Sequence, residues 1–211
     1  MFQELKKKTL KTSLVLSVIL ILIGLGLAGF MATNMYYVVF GYADFEQLKP
    51  DEIKNQLVDF DMTTNFGCYL EEYEYNKDTK RSRTTDLYYI IWTGDDYVDE
   101  FCYMTVKVPP SMEREMEEMS ENTSNELLSD PITVHGKIKK LDKEEYEYFV
   151  ETFEEAGWSD QDIEEGTLPY YIDTFEKKST ANAGYIFIFA LGMLFLIWGI
   201  IQCFCIQRKD S

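Results

Sequence analysis

Few residues of this sequence have side chains that could do chemistry, and its single histidine is the first to consider. His135 lies in the segment Ile132 to Ile138, where apolar residues alternate with others as they do in a half-buried strand. The alternation predicts that His135 points away from the face formed by Ile132 and Val134, as an exposed surface residue. Any Ser-His-Asp or Cys-His arrangement would have to use this residue, and a histidine-rich zinc site is excluded.

A turn rich in carboxylates is the candidate cation site. Asp95, Asp96, Asp99 and Glu100 lie close together between two predicted strands. Hard cations such as Ca²⁺ take several carboxylate oxygens, but the EF-hand spacing is absent and nothing supplies a fixed bidentate glutamate. A solvated acidic turn is the simpler interpretation, and a weak Ca²⁺ site is the alternative. No other cofactor is predicted.

Two cysteines, Cys68 and Cys102, lie on separate predicted strands of the central segment. If this segment is exported to an oxidising compartment and the strands are neighbours, the two side chains can form a disulfide. The bond would close a loop of about 35 residues and stabilise the fold by roughly 3–4 kcal/mol in the chain-entropy model. Two buried, reduced thiols are the alternative.

Two long uncharged runs indicate how the chain is placed relative to a membrane. Ser13–Ala32 has 20 residues and Tyr185–Ile206 has 22, and neither contains a charged side chain. A helix of this length crosses a hydrocarbon core of about 30 Å, so transmembrane helices are predicted over residues 13–33 and 184–206. A cleaved signal peptide is disfavoured for the first run, which is longer than the usual apolar region of about 7–15 residues.

The charge of the chain is divided by these two runs. The whole chain has a net charge of −17, whereas residues 34–183 alone have 14 basic and 35 acidic residues, a net charge of −21. Lysines precede the first run, and Arg208 and Lys209 follow the second. The positive-inside rule therefore predicts cytoplasmic termini and an extracytoplasmic domain over residues 34–183, in a plasma membrane. Nucleic acid is excluded as a partner because it requires a basic surface.

Small residues in the two runs indicate how the predicted helices pack. Gly24, Ala28 and Ala32 recur every four residues on one face of the first, and Gly192 and Gly199 offer a groove on the second. Such spacing lets helices approach closely. Packing of the two helices as a hairpin is the simpler interpretation, and a homodimer through the same face is the alternative.

The pattern of the central segment predicts an α+β domain. Alternating and β-branched runs predict strands near residues 57–62, 68–75, 85–92, 101–108, 132–138 and 169–173. Helices are predicted at 111–128, at 142–156 with Asp142 as its cap, and at 159–165, with a short helix opening at Pro50. This order favours a small curved antiparallel sheet, or a partly open OB-like barrel, with helical insertions between the two transmembrane helices.

Several motifs give the chain a resemblance to known proteins. They are YYIIWTGDDY at 88–97, YMTVKVP at 103–109, DPITVHGKIKKLDKEEYEYF at 130–149, AGW at 156–158 and TLPYYID at 167–173. With these motifs the chain resembles an uncharacterised family of two-span membrane proteins from Firmicutes. The resemblance implies a bacterial host and a plasma membrane, and it carries no activity and no site residues.

No catalytic set is assembled by these residues, so a binding or scaffold module for an envelope or membrane protein partner is the favoured function. The alternative is a carboxylate-dependent, cation-assisted hydrolase acting on a cell-envelope substrate. Because carboxylates are so abundant in the central segment, pairs of them arise by chance and specify little. A subunit of a small transporter would need a partner to line a pore, since the two apolar runs contain no charge.

Overall fold

The structure is a computed structural model that describes residues 2–45, 48, 53–93, 103–175 and 177–210. The chain divides into two compact units. One consists of Met1–Gly41 with Ser179–Ser211, and the other is the continuous segment Tyr42–Lys178.

The first unit is a pair of long helices, α1 (Phe2–Phe40) and α5 (Lys178–Asp210). The stretches Ser13–Phe40 and Lys178–Ile206 are long and apolar enough to cross a membrane. Their most apolar windows are only 17% and 11% buried, unlike the core helix of a soluble protein. The structure therefore confirms two helices able to span a membrane, at the two ends of the sequence.

The second unit is built on one mixed sheet of seven strands in the order β1-β2-β6-β7-β5-β4-β3. Most neighbours are antiparallel, but β1 is parallel to β2 and β5 is parallel to β7. The strands are β1 (Ala43–Asp44), β2 (Leu57–Met62), β3 (Asn65–Asn76), β4 (Arg81–Trp92), β5 (Tyr103–Val108), β6 (Ile132–Lys140) and β7 (Thr167–Thr174).

The α+β class is confirmed, and the details of the predicted sheet are corrected. The sheet is mixed rather than antiparallel, because β7 returns after two helices and enters beside β5 in the same direction. It also stays open, with β1 and β3 as its edges, so an OB-like barrel is not confirmed.

Helices cover both faces of the sheet. On one face, Met116 and Met119 of α2 (Glu113–Ser124) pack into a core that includes Leu87, Tyr89 and Ile91. On the opposite face, α3 (Lys143–Glu155) and α4 (Asp160–Gly166) pack on Tyr88 and Ile90, together with other aromatic side chains. Successive side chains of β4 point to opposite faces of the sheet, so this strand contributes residues to two separate hydrophobic cores.

The ends of the helices follow local capping rules. Asp142 caps α3 in a complete capping box with Glu145, and Gly157 stops the helix at φ +89°. The helix predicted over 111–128 instead starts with a 3₁₀ turn at Pro110–Met112 and ends at Ser124, leaving Leu128 fully exposed. Of the short helix predicted from Pro50, residues 50–52 lie outside the described residues, and Leu57 already begins β2.

Candidate functional site

A row of polar side chains crosses the sheet on the face that carries α3. The register of four adjacent strands places Tyr88 of β4 beside Lys107 of β5, Lys107 beside Asp173 of β7, and Asp173 beside Lys137 of β6. Side chains of opposite charge are thus neighbours in the register, but the ion pair of Asp173 is with Lys139, whose Nζ atom lies 2.5 Å from Oδ2 of Asp173. The row brings together residues that are up to 85 positions apart in the sequence.

Tyr88 lies at the centre of a hydrogen-bond network on this row. Its hydroxyl group donates to Oε1 of Glu145 at 2.7 Å and lies 3.0 Å from Oε1 of Glu72. The ammonium group of Lys107 lies 2.8 Å from Oε2 of Glu72, 3.6 Å from Oδ2 of Asp86, and 4.9 Å from the centre of the Tyr88 ring. These contacts connect the three strands β3, β4 and β5 with the helix α3.

The electrostatics of this network keep Tyr88 neutral. Burial and the adjacent Glu145 and Glu72 carboxylates raise the pKa of Tyr88 far above its ordinary value. Burial alone would raise the pKa of Glu72, but the hydrogen bond from Lys107 and the adjacent Tyr88 hydroxyl group outweigh it and lower that pKa. Burial alone would lower the pKa of Lys107, but Glu72 and Asp86 raise it. A phenol held in this way fixes the fold and does not act as a base near neutral pH.

His135 belongs to a second polar cluster and is not the isolated surface residue that was predicted. It is the cross-strand neighbour of Asp59, and its Nδ1 atom lies 2.7 Å from Oδ1 of that residue. Lys178 donates to both oxygens of Asp59, at 2.6 and 2.9 Å, and its Nζ atom lies 4.1 Å from the centre of the Tyr42 ring. The cluster joins the first and last residues of the domain.

This arrangement has the Asp-His pair used by many general bases, but Lys178 shares the same carboxylate. The side chains of His135, Asp59 and Lys178 are each about one third exposed. The cluster was not predicted from the sequence, because Asp59 and His135 are 76 residues apart and meet only in the register of β2 with β6. The ordinary strand alternation was the only available signal.

The predicted cation site and disulfide cannot be placed in the same way. Asp95, Asp96, Asp99, Glu100 and Cys102 lie outside the described residues. Over the described ranges, no group of three or more His, Cys, Asp or Glu side chains is arranged to hold a metal ion. The Ca²⁺ site, the disulfide and the hydrolase stay predictions.

Cys68 lies on β3 as an exposed thiol, 3.4 Å from the carbonyl oxygen of Leu70. In the sheet order, β4 lies between β3 and β5, the strand that begins directly after Cys102.

The small residues of the two long helices lie at close contacts between α1 and α5. A Cβ atom on Gly24 would come within 2.6 Å of the Leu196 nitrogen, and one on Gly192 within 2.9 Å of the Ala28 nitrogen. One on Gly199 would lie 2.9 Å from the Ser17 carbonyl oxygen. Ala32 is exposed.

The most exposed part of the described domain is the hairpin formed by the end of β3 and the start of β4. All of residues 73–83, here termed the hairpin arm, are exposed. Tyr73 and Tyr75 are 60% and 57% exposed, although neither is needed by the core. The arm has four cations, Lys77, Lys80, Arg81 and Arg83, and none of them has an ion pair with a described residue.

The comparisons with known proteins give a family but no activity. A family model described as a domain of unknown function (DUF8577) matches residues 2–204. The chain belongs to this family. No curated protein and no solved structure matches the chain.

The DUF8577 match includes most of both apolar helices as well as the whole central domain. The helices are therefore part of the family's own domain, and a description of its function has to include them.

Proposed function

We propose that the chain is a membrane-anchored binding module of a bacterial envelope. In this proposal α1 and α5 cross the plasma membrane, both termini are cytoplasmic, and the acidic central domain is extracytoplasmic. Two apolar helices and the cationic residues that flank them support this topology. The domain then acts by binding a protein partner that is also in or on the membrane.

The hairpin arm is the observation that carries the proposal. Exposed tyrosines and arginines are the residue types that dominate binding energy at protein interfaces. The arm places Tyr73, Tyr75 and four cations on a projection outside both cores, within a domain whose net charge is −21. Residues 73–83 also contain Glu74 and Asp78, so the arm has four basic and two acidic residues and a net charge of +2. This exposed basic segment of an acidic domain favours a partner with acidic groups.

Photocrosslinking from the arm tests the proposal. A benzoylphenylalanine residue replaces Tyr75 in the full chain, in membranes of the organism that encodes it. We expect a discrete protein adduct that decreases at least fivefold when Lys77→Glu, Lys80→Glu and Arg81→Glu are introduced. A matched variant changes the exposed Lys54, Lys140 and Lys177 to Glu, and it should keep the adduct. Absence of any protein adduct, or equal loss in both variants, contradicts the proposal.

Cysteine labelling tests the topology separately. An otherwise cysteine-free chain carries Ser82→Cys in the arm or Gln207→Cys after the second apolar stretch. A membrane-impermeant maleimide should label residue 82 in intact cells and residue 207 only after lysis. Labelling of residue 82 only after lysis overturns the predicted orientation.

A further inference from the structure

The strand that forms the arm is also an edge of the sheet. β3 pairs with β4 on one side and is the last strand in the sheet order, whereas the opposite edge is the two-residue strand β1. An edge strand presents unpaired N–H and C=O groups and can pair with another strand. Register shifts interrupt β3 between Asn65 and Leu70, and β4 has one extra residue opposite the step from Glu72 to Tyr73. The unbroken part of this edge is therefore Tyr73–Asn76, about 10 Å long.

The sequence of this edge is complementary to itself when two copies run antiparallel about Glu74. In this alignment Tyr75 lies opposite Tyr73 of the second copy, and Lys77, the first residue after β3, lies opposite Glu71 of the second copy. Each of these pairs occurs twice, as a two-fold interface requires. Opposite charges and paired aromatic rings are both favourable when they face each other across antiparallel strands.

The one like-charge contact in this alignment is between the two Glu74 side chains on the axis. Each Glu74 is the cross-strand partner of Arg83 in its own hairpin, so the axis has the order Arg83, Glu74, Glu74, Arg83. Because two guanidinium groups flank two carboxylates, the row carries no net charge. Lys77, which has no ion pair with a described residue of its own copy, meets the carboxylate of Glu71 in the second copy.

Alternative registers lose these contacts. The pairing must shift by two residues at a time, since a one-residue shift sends side chains to the opposite face. Centring the strands on Tyr73 places Glu72 opposite Glu74 twice, and it separates Lys77 from Glu71. Centring them on Tyr75 also separates Lys77 from Glu71, and it places Glu72 opposite Asp78. Only the register about Glu74 pairs both charges and rings.

The surface beside the edge is complementary to the tip of the arm as well. Residues 77–80 form the turn of the arm, and in the same alignment the turn of the second copy would lie near Cys68. Cys68 lines a concavity of about 400 Å³ together with Glu117 and Glu121 of α2. The cationic turn of the second copy would therefore approach an acidic surface, which a neutral or acidic turn would not favour.

We propose that two copies of the chain join their β3 edges antiparallel about Glu74, so that two seven-stranded sheets form one. The inference deepens the proposed function, on which it rests, by naming the partner of the arm as a second copy. Anchoring of both copies in one membrane raises their effective concentration and favours the contact.

A single cysteine on the axis tests the proposal. Glu74→Cys is introduced into the full chain with Cys68, Cys102, Cys203 and Cys205 changed to Ser, and membranes are oxidised before non-reducing electrophoresis. Directly opposed Cβ atoms lie about 4.5–5.5 Å apart, so we expect efficient crosslinking to a dimer. Ser82→Cys, which is on the β4 side of the same arm, is the matched control and should crosslink at least fivefold less.

The register is tested with two further variants. Tyr73→Cys and Tyr75→Cys should each crosslink poorly alone, since diagonal positions are about 7–8 Å apart, but efficiently when co-expressed. Lys77→Glu should reduce the Glu74→Cys dimer at least fivefold, and adding Glu71→Lys should restore it. Equal crosslinking at positions 73, 74 and 75 when each is tested alone contradicts the register.

The outcomes separate this inference from the proposed function. If Glu74→Cys stays monomeric while a Tyr75 photocrosslink captures another protein, the dimer is overturned and the binding module stands. If Glu74→Cys stays monomeric and Tyr75 captures nothing, both are overturned. The proposed pairing is also overturned if the yield of the Glu74→Cys dimer does not change with Lys77→Glu or with the added Glu71→Lys.

Discussion

The hydroxyl group of Tyr88 lies 2.7 Å from Oε1 of Glu145, whose second oxygen accepts the backbone N–H of Asp142. One carboxylate thus closes the capping box of α3 and holds the helix on the central strands. The cap of α3 depends only on neighbouring residues, whereas the contact with Tyr88 requires that the helix is packed on the folded sheet.

Tyr88→Phe should lower the free energy of unfolding by about 1–2 kcal/mol, because a buried hydrogen bond to a carboxylate is lost while the ring remains. Tyr73→Phe is the matched control, since the hydroxyl group of Tyr73 lies on the exposed arm, where it donates to Glu71 next to the arm. That change should stay within about 0.5 kcal/mol. Chemical denaturation of the full chain in detergent measures the free energy of unfolding of both variants. Equal losses in the two variants would show that the buried Tyr88 hydroxyl group stabilises the fold no more than the exposed Tyr73 hydroxyl group.

The Lys107–Glu72 ion pair should stabilise the fold over a wide pH range. The pKa of Glu72 is lowered, so its contribution is present above the unfolded pKa near 4.5 and is lost as pH falls through the folded value. The pKa of Lys107 is raised, so its contribution is present below 10.5 and is lost as pH rises through the folded value.

The stability difference between the natural chain and Glu72→Gln should therefore be constant from about pH 5 to pH 10 and shrink outside that range. It should also decrease with salt, because the Glu72 side chain is 40% exposed. Thermal unfolding across pH measures the difference. A difference that grows below pH 4 would contradict the assigned direction.

Gly24→Val should weaken the packing of α1 on α5, since a Cβ atom there would lie 2.6 Å from backbone nitrogen of Leu196. Gly26→Val makes the same chemical change where nothing lies within 4 Å, and it is the control. Resistance of helicity to sodium dodecyl sulfate should drop for the first variant only. Comparable losses in both would show that chain stiffness, not packing, is responsible.

The Ca²⁺ site predicted from the sequence has its own test. With a weak dissociation constant of about 1 mM, 10 mM Ca²⁺ would stabilise the folded chain by about 1.4 kcal/mol. We expect a rise in the melting temperature that is abolished by Asp95→Asn, Asp96→Asn and Asp99→Asn. Mg²⁺ at the same concentration controls for ionic strength, and an identical rise with Mg²⁺ would count against a Ca²⁺ site.

Local features of the fold were predictable because they depend on neighbouring residues. The strand predicted over residues 57–62 is confirmed at Leu57–Met62, and the predicted cap at Asp142 is confirmed as well. Capping and alternation act within about four residues, so the printed sequence contains all that they require.

Strand order and the polar clusters were not predictable, because alternation determines the face of a residue but not its neighbour. Nothing near Asp59 indicates His135, which faces it only because β2 pairs with β6. Likewise, β7 enters between β5 and β6, and Gly136 permits this approach since a Cβ atom there would lie 2.5 Å from Ile172. The long-range pairing decides which polar residues meet.

The position of β7 has a consequence for how the domain folds. Among the described strands it is the last in the sequence, and it alone pairs with both β6 of β1-β2-β6 and β5 of β5-β4-β3. Until residue 174 is available, the chain can form two half-sheets with open edges but not the complete structure. The complete sheet can therefore form only after the segment directly preceding α5 has been synthesised, and these long-range strand pairings slow the folding of the domain.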